Sequence, residues 1–251
     1  MAAVDELIDA THLAEQQHFW FRGFRRFVIP LIERAAAGRR DLQILDCGCG
    51  TGANLALLAP YGRAFGFDLN ALGVRLARRS GHTRVMRGSI ASIPFATGAF
   101  DLVTSFDVWQ TLPGAVEAAA PREMFRILRP GGSMVLNVSA LSVLFGNHSV
   151  LSEEQQRYDR RRLRQLVEGA GFRVERLTFT NFTLFPLMLA VRSFQRFAGL
   201  KQGAEARGEI TVPPRPLNAA LSGLLRAEAA LVRHVDMPIG SSLLCLARKP
   251  R

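Results

Sequence analysis

The chain has 251 residues, 48% of them hydrophobic and 21% charged, which suits one elaborated globular domain and excludes a disordered or fibrous chain. Its formal charge of +11 rests almost wholly on arginine, since Lys201 and Lys249 are the only lysines; the excess reflects either codon composition or a surface that attracts phosphates, acidic lipids or nucleic acid. The three cysteines exclude an ordinary disulfide framework: Cys47 and Cys49 are too close within a glycine turn and Cys245 stands in an apolar run, which fits a reducing, cytoplasmic setting.

In chain order, residues 5–37 have helical character around a dense aromatic and basic patch, His18-Phe19-Trp20-Phe21-Arg22-Gly23-Phe24-Arg25-Arg26. No basic segment followed by an apolar signal core precedes it, so secretion is not expected. Short apolar runs at 42–45, 64–67, 83–86, 102–106 and 134–138 read as strands, with helices predicted at 55–58, 71–79 and 116–128 between them. A further helix at 161–169 and strands at 172–179 and 242–247 complete the series. Strands that alternate with helices pair in parallel, because a parallel crossover needs a covering element. Between the last two strands lies an insertion of about 60 residues, too long for an ordinary loop. It carries helix candidates at 184–197 and 217–232, separated by a Gly/Pro-rich break at 199–216. The apolar stretch 182–191 is interrupted by Arg192 and Arg196 and is too short for a bilayer span of about 20 residues. The expected organisation is one domain over 1–251: a helical lid at 1–40, a ligand-binding core at 41–140, and a substrate-side half at 141–251 with its helical insertion at about 182–240.

The chemistry begins at Asp46. The turn Gly48-Cys49-Gly50-Thr51-Gly52 joins a strand to a helix, and bare glycines there let backbone approach a ligand closely while the helix start points amide donors at it. Asp68 follows the next strand about 20 residues on, where a carboxylate can accept both hydroxyls of a ribose. Gly48, Gly50 and Ala53 also satisfy the looser dinucleotide pattern, so these residues alone leave the nucleotide open.

The run Ile44-Leu45-Asp46-Cys47-Gly48-Cys49-Gly50-Thr51-Gly52 resembles the first motif of class I S-adenosylmethionine-dependent methyltransferases. Further landmarks follow in the family's order: Gly66-Phe67-Asp68, Pro94-Phe95 with Phe100-Asp101-Leu102-Val103, and Leu128-Arg129-Pro130-Gly131-Gly132. The resemblance implies a Rossmann-like, doubly wound α/β fold with a mostly parallel seven-stranded sheet and helices on both faces. It implies that S-adenosyl-L-methionine is the cofactor. Asp46, Gly48, Cys49, Gly50 and Gly52 would then hold its methionine end, Asp68 with Leu69 the ribose, and Ser89 with Ile90 the adenine, Ser89 standing where the family carries an acid. Phe106 and Asp107 would line the space between cofactor and acceptor. The aromatic patch after His18, the region from His148 to Arg192, and Pro238-Ile239-Gly240-Ser241-Ser242-Leu243 resemble a bacterial small-molecule subgroup whose members often accompany sugar, glycolipid or secondary-metabolite biosynthesis. Ser149, Glu154, Gln156, Gln110 and Thr111 depart from that subgroup's pattern.

Methyl transfer from a sulfonium is a direct displacement, so the protein mainly aligns the nucleophile and excludes water. A hydroxyl acceptor gains from a base, and His148, just after the fifth strand, is the candidate, with Tyr158 and Glu154 expected to orient the acceptor. The plain alternative for His148 is a loop histidine with a structural hydrogen bond. His18 and Trp20 either pack an amphipathic helix or belong to a lid. Phe182, Phe185 and Leu189 with Arg192 and Arg196 are expected either as a core-facing stripe or as peripheral contact with the inner membrane face. No convincing metal-ligand cluster is present.

The leading expectation is O-methylation of a small-molecule hydroxyl. RNA methylation is the runner-up, motivated by charge, but no RNA-binding module and no Asn-Pro-Pro-Tyr-type motif follows the fourth strand, where Asp107-Val108-Trp109-Gln110 stand instead. A catalytically degenerate cofactor-binding protein is a different class, motivated by Ser89, Ser149 and Glu154. A nicotinamide oxidoreductase ranks last, since the motif at 128–132 has no role there.

Overall fold

In the computed structural model, which describes residues 2–200 and 211–251, seven strands form one sheet. β1 (Leu42–Cys47), β2 (Gly62–Asp68), β3 (Val85–Arg87), β4 (Phe100–Phe106) and β5 (Leu128–Ser139) pair in parallel. β6 (Arg173–Thr180) lies at one edge, and β7 (Ser242–Arg248) runs antiparallel between β5 and β6. The order is therefore β3-β2-β1-β4-β5-β7-β6. The chain builds outward from β1 to β3, then crosses back to lay β4 on the other side of β1. That reversal opens a crevice at the carboxyl ends of β1 and β4, where sheets of this kind take ligands.

The nine helices among the described residues are α1 (Ala2–Ala14), α2 (Phe19–Ala36), α3 (Ala53–Leu58), α4 (Ala71–Arg79), α5 (Gly114–Ile127), α6 (Asn147–Leu151), α7 (Arg160–Gly169), α8 (Phe185–Ala198) and α9 (Arg215–Val232). Successive residues of β7 from Ser242 to Ala247 are all buried, and β4 is nearly so, which requires cover on both faces of the sheet. α2 packs with α9, and α5 packs with α7, each pair lying against the β5–β7–β6 side. Local chemistry starts several helices where the sequence breaks: Asn70 accepts from the Leu72 and Gly73 amides ahead of α4, and Asp159 accepts from the Arg162 amide ahead of α7.

The helical character expected across 5–37 is divided by a turn, and His18 caps α2 by accepting from the Trp20 amide. β5 begins at Leu128, ahead of its expected start at 134, because Leu128 already pairs with Phe100 before the glycine turn. The stripe expected at Phe182, Phe185 and Leu189 is displaced. Phe185 and Leu189 are half-buried, and α8 turns Leu187, Val191 and Phe194 outward instead. Of the Gly/Pro-rich break, residues 201–210 lie outside the described residues.

Two sets of hydrogen bonds pin the helices of the insertion. Asn218 accepts from the Phe19 amide at 2.8 Å and donates to the Gln17 carbonyl at 2.9 Å, joining α9 to the start of α2. The buried Glu228 carboxylate accepts from the Phe182 amide at 2.8 Å, the Thr183 amide at 3.0 Å and the Thr183 hydroxyl at 2.6 Å, fixing the turn into α8. Replacing Glu228 with Ala strands three donors, and chemical denaturation should show a loss of about 2–4 kcal/mol. Glu228→Gln should lose less, and an unchanged midpoint for Glu228→Ala would contradict this role.

Candidate active site

β1 delivers Cys47 to the crevice and the chain then reverses through the glycine turn. Gly48, Gly50 and Gly52 have φ of 84°, 50° and 85°, the left-handed region that favours glycine. A Cβ on Gly48 would collide with the Val108 side chain, whereas the space beside Gly50 is open. β2 clamps the turn from its other side, because the Phe67 carbonyl accepts from the Gly48 and Cys49 amides at 2.9 and 3.0 Å. One Asp68 oxygen accepts from the Gly50 amide and the other from the Asn70 amide, both at 2.8 Å. Burial pushes the Asp68 carboxyl up, and those backbone hydrogen bonds oppose it. α3 is only six residues long, so amide donors expected behind the turn are confined to a short first turn.

Beneath the turn, Asp46 is fully buried. Its Oδ1 accepts from the Thr104 hydroxyl at 2.6 Å, while Oδ2 has no partner. Burial drives its pKa up to about 7, against the Thr104 hydrogen bond and helped by the Asp68 charge. An orphaned carboxylate oxygen under an open backbone cradle fits a cationic ligand with a nucleoside attached, the chemistry of a sulfonium amino acid.

A cavity of about 580 Å³ opens over this turn, in the usual range for small-molecule sites. Gly48, Cys49 and Gly50 line one side, with Phe106, Asp107 and Gln110 from the end of β4, and His148 from α6. α1 and α2 roof it. The Thr51 hydroxyl donates to Glu15 Oε2 at 2.7 Å, the Arg25 guanidinium donates to the Glu15 carbonyl at 2.8 Å, and the Asn70 amide side chain donates to Asp5 Oδ1 at 2.7 Å. His18, Phe19, Trp20 and Phe24 face the same space, so the aromatic patch serves as helix cap, packing surface and roof together.

Asp107 takes φ 57°, uncommon for any residue but glycine, and its Oδ1 accepts from the Asn137 amide side chain at 2.8 Å. The residue lines the cavity, where its carboxyl is screened from water. That enclosure raises its pKa to about 6, opposed by the hydrogen bonds from Asn137 and Gln110. Gln110 Oε1 is buried and unpartnered at the cavity wall. Glu154 lies behind, held by Arg157 Nε at 2.8 Å and Nη2 at 3.2 Å and by the Ser139 hydroxyl at 2.8 Å. Arg157, rather than Glu154, reaches the cavity.

The structure thus brings Gly48, Cys49, Gly50, Phe106, Asp107 and His148 to one cavity. Asp68 stands behind the turn that it holds. Leu69 is 66% exposed outside, Ile90 is buried in the core, and the Ser89 hydroxyl accepts from the Ala91 amide at 3.2 Å. Tyr158 does not face the cavity; it is fully buried and its hydroxyl donates to the Trp109 carbonyl at 3.0 Å. Sequence reading missed the roles of Glu15, Thr51, Asn137 and Arg157, which depend on contacts distant in the chain. Gln110 was visible only as a departure from the subgroup's pattern.

The Asp46 pKa has a consequence for stability. Its folded value of about 7 lies above the ordinary 3.8, so the native state holds an extra proton between those values. Stability contributed by this group is therefore present at low pH and falls as pH rises through the window, by up to about 4 kcal/mol. Urea denaturation at pH 5 and pH 8 should show a smaller difference for Asp46→Asn than for the wild-type chain. Equal pH dependence in the two would contradict the assignment.

A methyltransferase-domain family profile matches residues 45–136, the span from β1 through most of β5. A probable S-adenosylmethionine-dependent methyltransferase of Mycolicibacterium smegmatis is 29% identical over 164 residues, covering 64% of this chain and 62% of that one. A malonyl-[acyl-carrier protein] O-methyltransferase of Enterobacter lignolyticus is 31% identical over 126 residues, 48% of this chain and 47% of its own length. The chain therefore spans less than two thirds of either relative. The fold is similar over 99% of this chain, with a TM-score of 0.60 and 17% identity, to a putative methyltransferase solved with the Haloferax volcanii Trm112 activator, of which it covers 96%. S-adenosylmethionine is the cofactor that the Mycolicibacterium relative's name carries, and the glycine turn with the orphaned Asp46 oxygen suits it. Sequence match and sheet order agree over this span: residues 45–136 carry a methyltransferase domain, built on the sheet order described above.

Proposed function

We propose that this chain transfers a methyl group from S-adenosyl-L-methionine to a hydroxyl of a small-molecule acceptor of the sugar, glycolipid or secondary-metabolite kind, in the cytoplasm. The observation that carries the reading is one cavity bounded on one side by the open glycine turn and on the other by Asp107, Gln110 and His148. When bound, the cofactor supplies an electrophilic methyl group on a positively charged sulfur. The relative named as an O-methyltransferase is in keeping with oxygen as the methylated atom.

Asp46, Gly48, Cys49, Gly50 and Gly52 would hold the methionine end, with Asp68 bracing the turn and offering its remaining lone pairs to the ribose. Leu69, Ser89 and Ile90 would flank the adenine from outside the main cavity. On the acceptor side, Gln110 Oε1 is free to accept the hydroxyl's hydrogen bond, and Asp107 or His148 takes its proton. Asp107 suits the task because its raised pKa places proton uptake near neutral pH. Glu154 and Tyr158 act as positioning residues: Glu154 aims Arg157 at the cavity, and Tyr158 fixes the Trp109 carbonyl beside Gln110. The roof of α1 and α2 excludes water from the reacting atoms.

The test is single-turnover methylation with isotopically labelled cofactor, offered to candidate hydroxyl acceptors made by the products of neighbouring genes, with a one-methyl mass gain as readout. Asp107→Asn and His148→Gln should each be compared with the wild-type chain, and loss of the true base should slow transfer about 100-fold or more with cofactor affinity retained. Full activity in both His148→Ala and His148→Gln would remove His148. Full activity in Asp107→Asn as well would remove base catalysis by this pair.

A further inference from the structure

Among the described residues, none covers the outer side of α8. No residue of this helix is fully buried, although Leu184 immediately before it belongs to the core. Leu187, Val191 and Phe194 follow at helical spacing and are 61%, 44% and 70% exposed, with Phe197 92% exposed beside them. Ala190 and Ala198 fall on the same face, so no charged side chain interrupts it. On the opposite side of the helix, Arg196 donates to the Val143 and Phe145 carbonyls and holds that turn against α8. A contiguous apolar patch of this kind marks an interaction surface.

Two observations define what covers it. The first is charge. No aspartate or glutamate occurs from Arg176 to Ala204, and the whole chain carries +11. A second copy docked through this face would bring like charges together, whereas an anionic surface would complement them. The second is continuity with the cavity. Leu187 lines the cavity and is also exposed, so the mouth opens at the stripe.

We propose that the outer face of α8 docks on an anionic phospholipid bilayer, with Phe194 and Phe197 entering the acyl boundary and the net positive charge of the chain drawing it to the headgroups. Bulky apolar side chains on a basic protein suit that boundary. Docking sets the cavity mouth at the interface, where an acceptor with an apolar tail enters without crossing water. The docking itself stands on the α8 surface; the delivery of an acceptor rests on the methyl-transfer reading above. No helix among the described residues is long and apolar enough to cross a membrane, so the association is peripheral.

Vesicle flotation of the full chain tests it. At low salt the wild-type chain should float with vesicles of equimolar phosphatidylcholine and phosphatidylglycerol, and float less with phosphatidylcholine alone or at high salt. Phe194→Ser with Phe197→Ser should bind anionic vesicles about tenfold less or weaker still. Its thermal midpoint and cofactor affinity should be unchanged, because neither side chain is packed inside. Three results would overturn the proposal: no flotation of the wild-type chain on anionic vesicles, equal flotation of the double variant, or a dimer by light scattering that the double variant dissolves without any vesicle binding. Cofactor affinity is read separately, so failure of docking leaves the methyl-transfer reading intact, and loss of cofactor binding leaves docking to be judged by flotation alone.

Discussion

The parallel pairing of β1 with β2 is the constraint on which the site depends. Register sets Asp46 beside Gly66 and Cys47 beside Phe67, so the turn leaving β1 meets the end of β2 at once. The Phe67 carbonyl and the Asp68 carboxylate then capture three amides of that turn. Strained for any side chain, the turn persists because neighbouring strands over-determine it. A displaced β2 would release the glycines, and with them the wall of the cavity. Asp46 adds to the strain as a buried carboxylate with one oxygen unpaired, an arrangement that costs stability and is retained at sites that await a cation.

The opposite wall follows a different logic. Asp107, Asn137, Glu154, Arg157 and Ser139 form a polar cluster where β4 and β5 end. A buried ion pair gains little over apolar packing, and removal of one partner is what destabilises. Its value here is geometric: Arg157 is held by Glu154, Ser149 and the Ala140 carbonyl, so its position at the cavity is set by side chains that never reach the cavity themselves. The roof is added by α1 and α2 of the N-terminal segment, with Leu187, Met188 and Leu221 of the insertion completing the lining.

Strands and helices were legible because buried strands leave short apolar runs and α4 or α7 announce themselves by Asn70 and Asp159. The glycine turn and Asp68 were legible because backbone strain and spacing constrain residue type locally. The insertion of β7 between β5 and β6 was not, since nothing in a run such as Leu243 to Ala247 names its neighbours. Side-chain direction was equally hidden. Glu154 and Tyr158 lie near Arg157 in sequence, yet only Arg157 points into the cavity. Glu15 and Thr51 meet across a fold-level distance, and no local pattern forecasts that contact. On α8 the composition of the stripe was legible but its phase was not, because it is set by tertiary contacts that bury Leu184 and turn Met188 and Arg192 into the cavity.

Calorimetric titration of the purified chain with S-adenosyl-L-methionine and its demethylated product tests the central claim most directly. The account expects one site per chain for both ligands, weakened about tenfold or more by Gly50→Val, which fills the open cradle, and by Asp68→Ala, which frees the turn. Absence of binding to either ligand at millimolar concentration, or full affinity in both variants, would contradict it.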